Sequence, residues 1–253
     1  DQKRREHERA ERINTELQTA YADLRQTVGQ LLQAERLSSL AEIASGVVHE
    51  VRNPLGAIKG AVEILEDEIP ADSPRREFAR IEKVEVERID KLVSEFLRFA
   101  RPPKLSKVPS SVNELVESVI TLVDQRAAEG SVSIKKELAS ELSPIEIDPE
   151  QIVQVLLNLA INALDATPNG GTIVFRTYES GDTVTVEIED TGVGVAADDK
   201  ERIFDPFFTT KDKGTGLGLS VAHRIVTQHD GKLTAENTER GARFKVTLTR
   251  TGQ

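Results

Sequence analysis

The chain has 253 residues, with 33 lysines and arginines against 43 acidic residues and a net charge of −10. Such a length suggests one or two domains, and the acidic balance argues against non-specific nucleic-acid binding, which needs clustered cations. The absence of cysteine excludes disulfides, thiolate metal sites and cysteine nucleophiles, and it fits a reducing compartment.

No apolar run approaches the ~18 residues of a membrane span, and there is no signal peptide. The chain starts at Asp1 and has no methionine. It is therefore read as a fragment trimmed from a longer protein, itself cytoplasmic, with a sensor or membrane anchor expected upstream.

Residues 1–36 are dense in Glu, Arg and Gln, with Ala10, Ile13, Leu17, Ala20 and Leu24 three and four apart. This heptad pattern predicts a parallel coiled coil with a second copy of the chain. Its phase slips between Leu24 and Leu37, as a stutter would make it. The next helix is expected to run to about Asp67, with Leu40, Ala44, Val47, Val51, Leu55 and Ile58 as its apolar stripe. His49 lies roughly 160° from the centre of that stripe at about 100° per residue. Gly46, Asn53, Gly56 and Gly60 share its side. Glycine weakens a helix interior by about 1 kcal/mol against alanine, so three on one face predict a close approach there. Glu50 can orient the ring or take its proton, Asn53 sits one turn on, and Pro54 can kink the helix. A lone histidine on a solvated face is usually only a polar residue, so this motif needs a phosphate donor elsewhere.

Ile69–Pro74 reads as a turn, with Ser73 as N-cap and Pro74 at the first helical position. The second amphipathic helix carries Phe78, Ile81, Ile89, Leu92, Phe96 and Phe99 and ends at Arg101-Pro102-Pro103. Two helices with one buried stripe each make a poor core, whereas two hairpins make a four-helix bundle, hence a homodimer. Past a linker the pattern becomes α/β. Ser111 and Glu114 form a capping box for a helix to about Glu129, followed by strands at Ser131–Leu138 and Ile145–Ile147. Asp148-Pro149 opens an apolar helix to about Ala166. Strands Thr172–Tyr178 and Thr183–Asp190 follow, then an irregular stretch and a helix from about Thr215 to His229. A hairpin of Lys232–Glu236 and Ala242–Thr249 closes the chain. The expected fold class is α plus α/β: a coiled coil and helical-hairpin dimer forming a four-helix bundle, then helices on one face of a mixed sheet. The corresponding segments are 1–36, 37–101, a linker at 102–109, and 110–253.

Three motifs in the α/β part suit a nucleotide. Asn158 and Asn162 sit at i, i+4 on one helix face, and their oxygens are hard ligands suited to Mg²⁺. Asp190-Thr-Gly192-Val-Gly194 follows a strand, so its carboxylate can accept from an exocyclic amine while the glycines close over a flat ring. Gly214-Thr215-Gly216-Leu217-Gly218 opens a helix whose amides and positive end can bind phosphate. Taken singly, paired asparagines also cap or bridge elements, Asp-Thr-Gly also makes plain turns, and a lone glycine-rich loop is weak. No strand leads into the glycines, which removes a Rossmann reading, and neither a P-loop nor protein-kinase motifs are found.

In order and spacing, the motifs resemble the transmitter of two-component sensor histidine kinases over nearly all of residues 35–253. His49–Leu55 is similar to the H box, Asn158–Ala166 to the N box and Asp190–Gly194 to the first glycine box. Phe204–Phe208 is similar to the F box, and Gly214–Gly218 to the second glycine box. The resemblance implies a dimerisation and histidine-phosphotransfer domain followed by a Bergerat-type ATP-binding domain. It further implies that Asp190 holds the adenine amine, Asn162 coordinates Mg²⁺ with Asn158 beside it, and residues about 195–213 form an ATP lid. His49 would be phosphorylated by ATP and would pass the phosphoryl group to an aspartate of a response regulator receiver domain. Asn53 would position water for a phosphatase reaction. One departure is Asp165, where many members carry a basic residue; a lid lysine, Lys211 or Lys213, is then expected to neutralise the phosphates. The ATP-binding part also resembles gyrase, mismatch-repair and chaperone ATPases, so a clamp ATPase or a non-catalytic scaffold are the competing classes.

Overall fold

The computed structural model describes residues 51–70, 73–100, 104–200, 202–211 and 214–250. The expected coiled coil at 1–36, His49 and Glu50, the helix stop at 101–103 and Lys213 lie outside these residues. The chain divides into two compact units, Asp1–Pro102 and Pro103–Gln253.

In the first unit, α1 is helical over residues 51–68 and α2 spans Arg75–Ala100. Ser73 caps α2: its Oγ accepts from the Arg75 amide at 3.3 Å and its carbonyl from the Arg76 amide at 3.0 Å. The hairpin seam is Leu55 and Val62 against Ala79 and Val86, all buried. It is flanked by ion pairs Arg52–Asp90 and Lys59–Glu87, each at 3.2 Å. Phe78, Ile81 and Ile89, expected as anchors of α2, do not enter this seam and are exposed. The side chains of Phe96 and Phe99 lie outside the description. Gly56 and Gly60 face open space, since a Cβ on either would meet nothing within 4 Å. The close approach expected there is therefore not made within the hairpin.

The second unit is a five-stranded mixed sheet with helices on one face. Its order is β2 (Ser133–Leu138), β4 (Thr172–Ser180), β5 (Thr183–Asp190), β7 (Ala242–Thr249) and β6 (Lys232–Asn237). β2 runs parallel to β4; the other pairs are antiparallel. Alternation decides which face is covered. Ile173 and Phe175 of β4, Val184, Val186 and Ile188 of β5, and Phe244, Val246 and Leu248 of β7 are buried. The opposite face carries ion pairs such as Arg243–Glu189 at 2.7 Å and Lys245–Glu187 at 3.0 Å.

Helices α3 (Val112–Glu129), α4 (Pro149–Ala166) and α5 (Gly218–Gln228) cover the apolar face, with α4 packed between the other two. Each buried aliphatic side chain contributes roughly 1.5–3 kcal/mol, and α4 buries Ile152, Val155, Leu156 and Leu159 almost completely. The linker expected at 102–109 is partly built into this unit. β1 (Val108–Ser110) pairs antiparallel with β3 (Ile145–Ile147), and the Ser106 amide donates to Asp148 Oδ2 at 3.0 Å.

Candidate functional site

α4 buries one face, and the other carries Asn158, Asn162 and Asp165, the first two half-buried and the third exposed. Asn158 Nδ2 donates to the Gly218 carbonyl at 3.0 Å, tying the middle of α4 to the start of α5. At that start, Leu217 is the N-cap residue and makes no side-chain capping bond. The first amides of α5 are thus left for another acceptor, such as an anion. Thr215 Oγ1 accepts from the Leu217 amide at 3.2 Å and shapes the approach. Gly216 has φ +69°, and a Cβ there would overlap the Phe207 backbone. The Phe207 amide donates to the Gly216 carbonyl at 3.0 Å, so the Phe204–Phe208 stretch is clasped to the glycine-rich loop.

Asp190 ends β5, beside α4's C-terminal end, and is 2% exposed. Its Oδ1 accepts from the amides of Gly192 (2.8 Å) and Ala242 (3.3 Å). Among the described residues, Oδ2 is left to accept from outside. Burial pushes this carboxyl above the usual range and nearby Glu189 adds to the rise, while the two amides pull the other way. Gly192 and Gly241 wall the carboxylate: a Cβ on Gly192 would overlap the Ala166 carbonyl, and one on Gly241 the Asp190 carbonyl. Asn237 fixes the loop beyond, accepting from the Val195 amide at 2.8 Å and donating to the Val195 carbonyl at 2.7 Å. Gly194, at φ +72°, packs against that Asn237 side chain.

Lys211 reaches back to α4. Its Nζ donates to Asn162 Oδ1 at 3.0 Å and to Asp165 Oδ2 at 2.8 Å. Arg126 of α3 holds the other Asp165 oxygen at 2.6 Å. Before it, the stretch after Gly194 packs in part: Ile203 is buried, Phe204 lies 5.2 Å from the His223 ring, and Arg202 sits 4.6 Å over Phe208.

In the second unit, then, α4 carries Asn158 and Asn162, the end of β5 carries Asp190, and the loop before α5 carries Gly214 to Gly218. Asn53 is exposed on α1 in the first unit. Sequence reasoning missed Gly241, Ala242, Asn237 and Arg126. Only the β5–β7 register, with Glu189 opposite Arg243, brings Gly241 and Ala242 to Asp190. Among the described residues, no group of three or more His, Cys, Asp or Glu is placed to hold a metal. A divalent ion here would rest on asparagine oxygen together with phosphate and water, as Mg²⁺ does beside nucleotides.

Two family models match: "His Kinase A (phospho-acceptor) domain" over residues 39–104, and "Histidine kinase-, DNA gyrase B-, and HSP90-like ATPase" over residues 147–252. The chain belongs to the sensor histidine kinase family. It is 38% identical over 220 residues to the sensor histidine kinase ZraS of Escherichia coli O157:H7, covering 87% of this chain and 48% of that one. It thus spans about half the length of that relative. Full-length ShkA in complex with AMPPNP superposes with a TM-score of 0.73 at 28% identity, over 84% of this chain and 47% of that one. The histidine kinase ThkA in complex with the response regulator protein TrrA gives 0.65 at 31% identity, over 86% of this chain and 64% of that one. No described helix is long and apolar enough to cross a membrane.

Proposed function

We propose that this transmitter phosphorylates His49 from Mg-ATP and passes the phosphoryl group to an aspartate on a response regulator receiver domain. The observation that carries this reading is the half-used carboxylate of Asp190. One oxygen is fixed by two amides and walled by Gly192 and Gly241, which leaves the other for a ligand, in the same unit as an uncapped helix end. That pairing suits a purine amine at one end and phosphates at the other. ShkA's complex with AMPPNP and ThkA's with a response regulator support the nucleotide and the partner.

In this reading Asp190 Oδ2 accepts from the adenine amine, while the Gly192–Gly194 backbone closes over the ring. The Gly214–Gly218 loop and the first amides of α5 bind phosphate oxygens, and Lys211 adds positive charge. Asn162, with Asn158 beside it, offers the oxygens for Mg²⁺, which neutralises phosphate charge when bound. An imidazole nitrogen of His49 forms the P–N bond as the bond from γ-phosphorus to the ADP oxygen breaks. The nucleophile is neutral imidazole, because a doubly protonated ring has no lone pair with which to attack. Glu50 orients the ring and takes its proton. The protein's task is mainly alignment and charge neutralisation. Asn53 would orient water in a phosphatase reaction on the phosphorylated regulator, working in the cytoplasm where ATP and regulator meet.

The working unit is a homodimer. On α1, Leu55, Ile58, Val62 and Leu65 make one three-and-four stripe, yet only Leu55 and Val62 are buried by α2. A second hairpin on Ile58 and Leu65 completes a four-helix bundle.

Incubation with γ-labelled ATP and Mg²⁺ tests the reading. The expected result is protein-bound label that is acid-labile, alkali-stable and absent from His49→Gln. ATP hydrolysis without such label would favour a clamp-type ATPase and sink the proposal.

A further inference from the structure

The Asp165 carboxylate carries two cations, one from each side. Oδ1 accepts from Arg126 Nη2 at 2.6 Å and Oδ2 from Lys211 Nζ at 2.8 Å. The same Nζ donates to Asn162 Oδ1 at 3.0 Å. Asn162 and Asp165 are neighbours at i, i+3 on α4, so one ammonium can bridge both.

We propose that Asp165 is a competing seat for Lys211: it holds the lysine across Asn162 Oδ1 and thereby lowers the affinity for a divalent-ion-bound nucleoside triphosphate. The proposal rests on the nucleotide reading above. One carbonyl oxygen cannot accept from an ammonium and also ligate a divalent ion at about 2.1 Å in the same direction. A divalent ion on Asn162 Oδ1 would also face the Lys211 ammonium at close range, so like-charge repulsion sets the two against each other. A lysine released from this seat is free to meet the phosphates, where its charge is needed. Arg126 keeps Asp165 paired and oriented after the lysine leaves, so the vacated carboxylate is not stranded and can take it back. Asp165 is therefore a positioning residue acting through Lys211, with no contact of its own to the nucleotide.

The side chains of Asp165 and Lys211 are 28% and 39% exposed. A pair so placed is partly screened by water, and its removal is worth about 2–5-fold in affinity. Direct repulsion between Asp165 and the phosphates would have the same sign, so a double-mutant cycle is needed. ATP binding with Mg²⁺ is measured by calorimetry on the full chain, Asp165→Ala, Lys211→Gln and the double variant.

Asp165→Ala is expected to tighten ATP about 2–5-fold with Lys211 present and to change little in the Lys211→Gln background. Equal tightening in both backgrounds would assign the effect to direct repulsion and overturn the proposal. Unchanged or weaker ATP binding by Asp165→Ala would overturn it as well. Amide hydrogen exchange over residues 207–211, without nucleotide, gives a second readout. Exchange should speed up in Asp165→Ala, and unaltered exchange removes the seat. A wild-type chain that binds no ATP overturns the nucleotide reading and the competition with it, while the exchange result still reports whether Asp165 seats the lysine.

Discussion

Asp190 shows what a single residue gives up for its task. Its carboxyl is pushed up mainly by burial, with the Gly192 and Ala242 amides opposing and Glu189 adding to the rise. A carboxyl raised in the fold favours the neutral form, so its contribution to stability is present at low pH and is lost as pH rises through the folded pKa. Asp190→Asn keeps an oxygen for the two amides but turns a donor toward the adenine amine. The variant should therefore be more stable than wild type at pH 7, with the difference vanishing toward pH 4, as measured by urea unfolding. Its affinity for ATP should fall about 10–100-fold, the worth of a hydrogen bond to a charged group. Wild-type affinity should also drop on acidification, beginning above the ordinary aspartate value of 3.8. The place of Asp190 at the end of β5 was legible from the alternation of that strand, whereas its role was expected only from the resemblance of Asp190–Gly194 to a glycine box. Gly241 was not legible, because its closeness to Asp190 arises from strand pairing across more than fifty residues of chain.

Element by element, legibility followed the strength of local signals. α4 was readable because Asp148, Pro149 and a 3.6-residue apolar stripe all point to one helix. β1 was not, since three residues containing Pro109 have no period and Pro disfavours strands. The helix before the last hairpin was expected from Thr215 but begins at Gly218, because positive φ at Gly216 holds the preceding loop out of the helix. Asp148 does more than its capping role predicts. Oδ1 accepts from the Gln151 amide at 3.2 Å and Oδ2 from Gln151 Nε2 at 2.9 Å and the Ser106 amide at 3.0 Å. Its own amide donates to His229 Nε2 at 3.0 Å, joining the two helices of the site at their far ends. Burial pushes this carboxyl up, but the Ser106 and Gln151 bonds and His229 outweigh it and hold it below 3.8. A lowered carboxyl contributes stability that is present above the unfolded pKa of about 3.9 and fades as pH falls through the folded value. Asp148→Ala is accordingly expected to cost about 2–3 kcal/mol at pH 7 and less near pH 3, read from urea midpoints at the two pH values.

For the whole molecule, the described part of the hairpin leaves more apolar surface open than the second unit does. The second unit has its own core of Val116, Val119, Leu156, Phe175 and Leu248, each no more than 1% exposed. Among the described residues of the first unit, the buried apolar side chains are Leu55, Val62, Ala79 and Val86, while Ile58 is 49% and Leu65 53% exposed. Leu55 and Ile58 were expected on one buried stripe from their spacing, but α2 covers Leu55 and leaves Ile58 open, which depends on how α2 crosses α1; Val62 and Leu65 were not read in the sequence. If the exposed members meet a second copy, Ile58→Glu with Leu65→Glu places four charges in the dimer's core. The dissociation constant should rise at least about 100-fold, since each apolar side chain contributes roughly 1.5–3 kcal/mol when buried. Light scattering across a dilution series would read this directly. ATP affinity should stay unchanged, because no nucleotide contact is drawn from α1, while label on His49 should fall with the dimer fraction. A wild-type chain that is monomeric at every concentration would remove the bundle, and equal labelling of monomer and dimer would remove its role in the reaction.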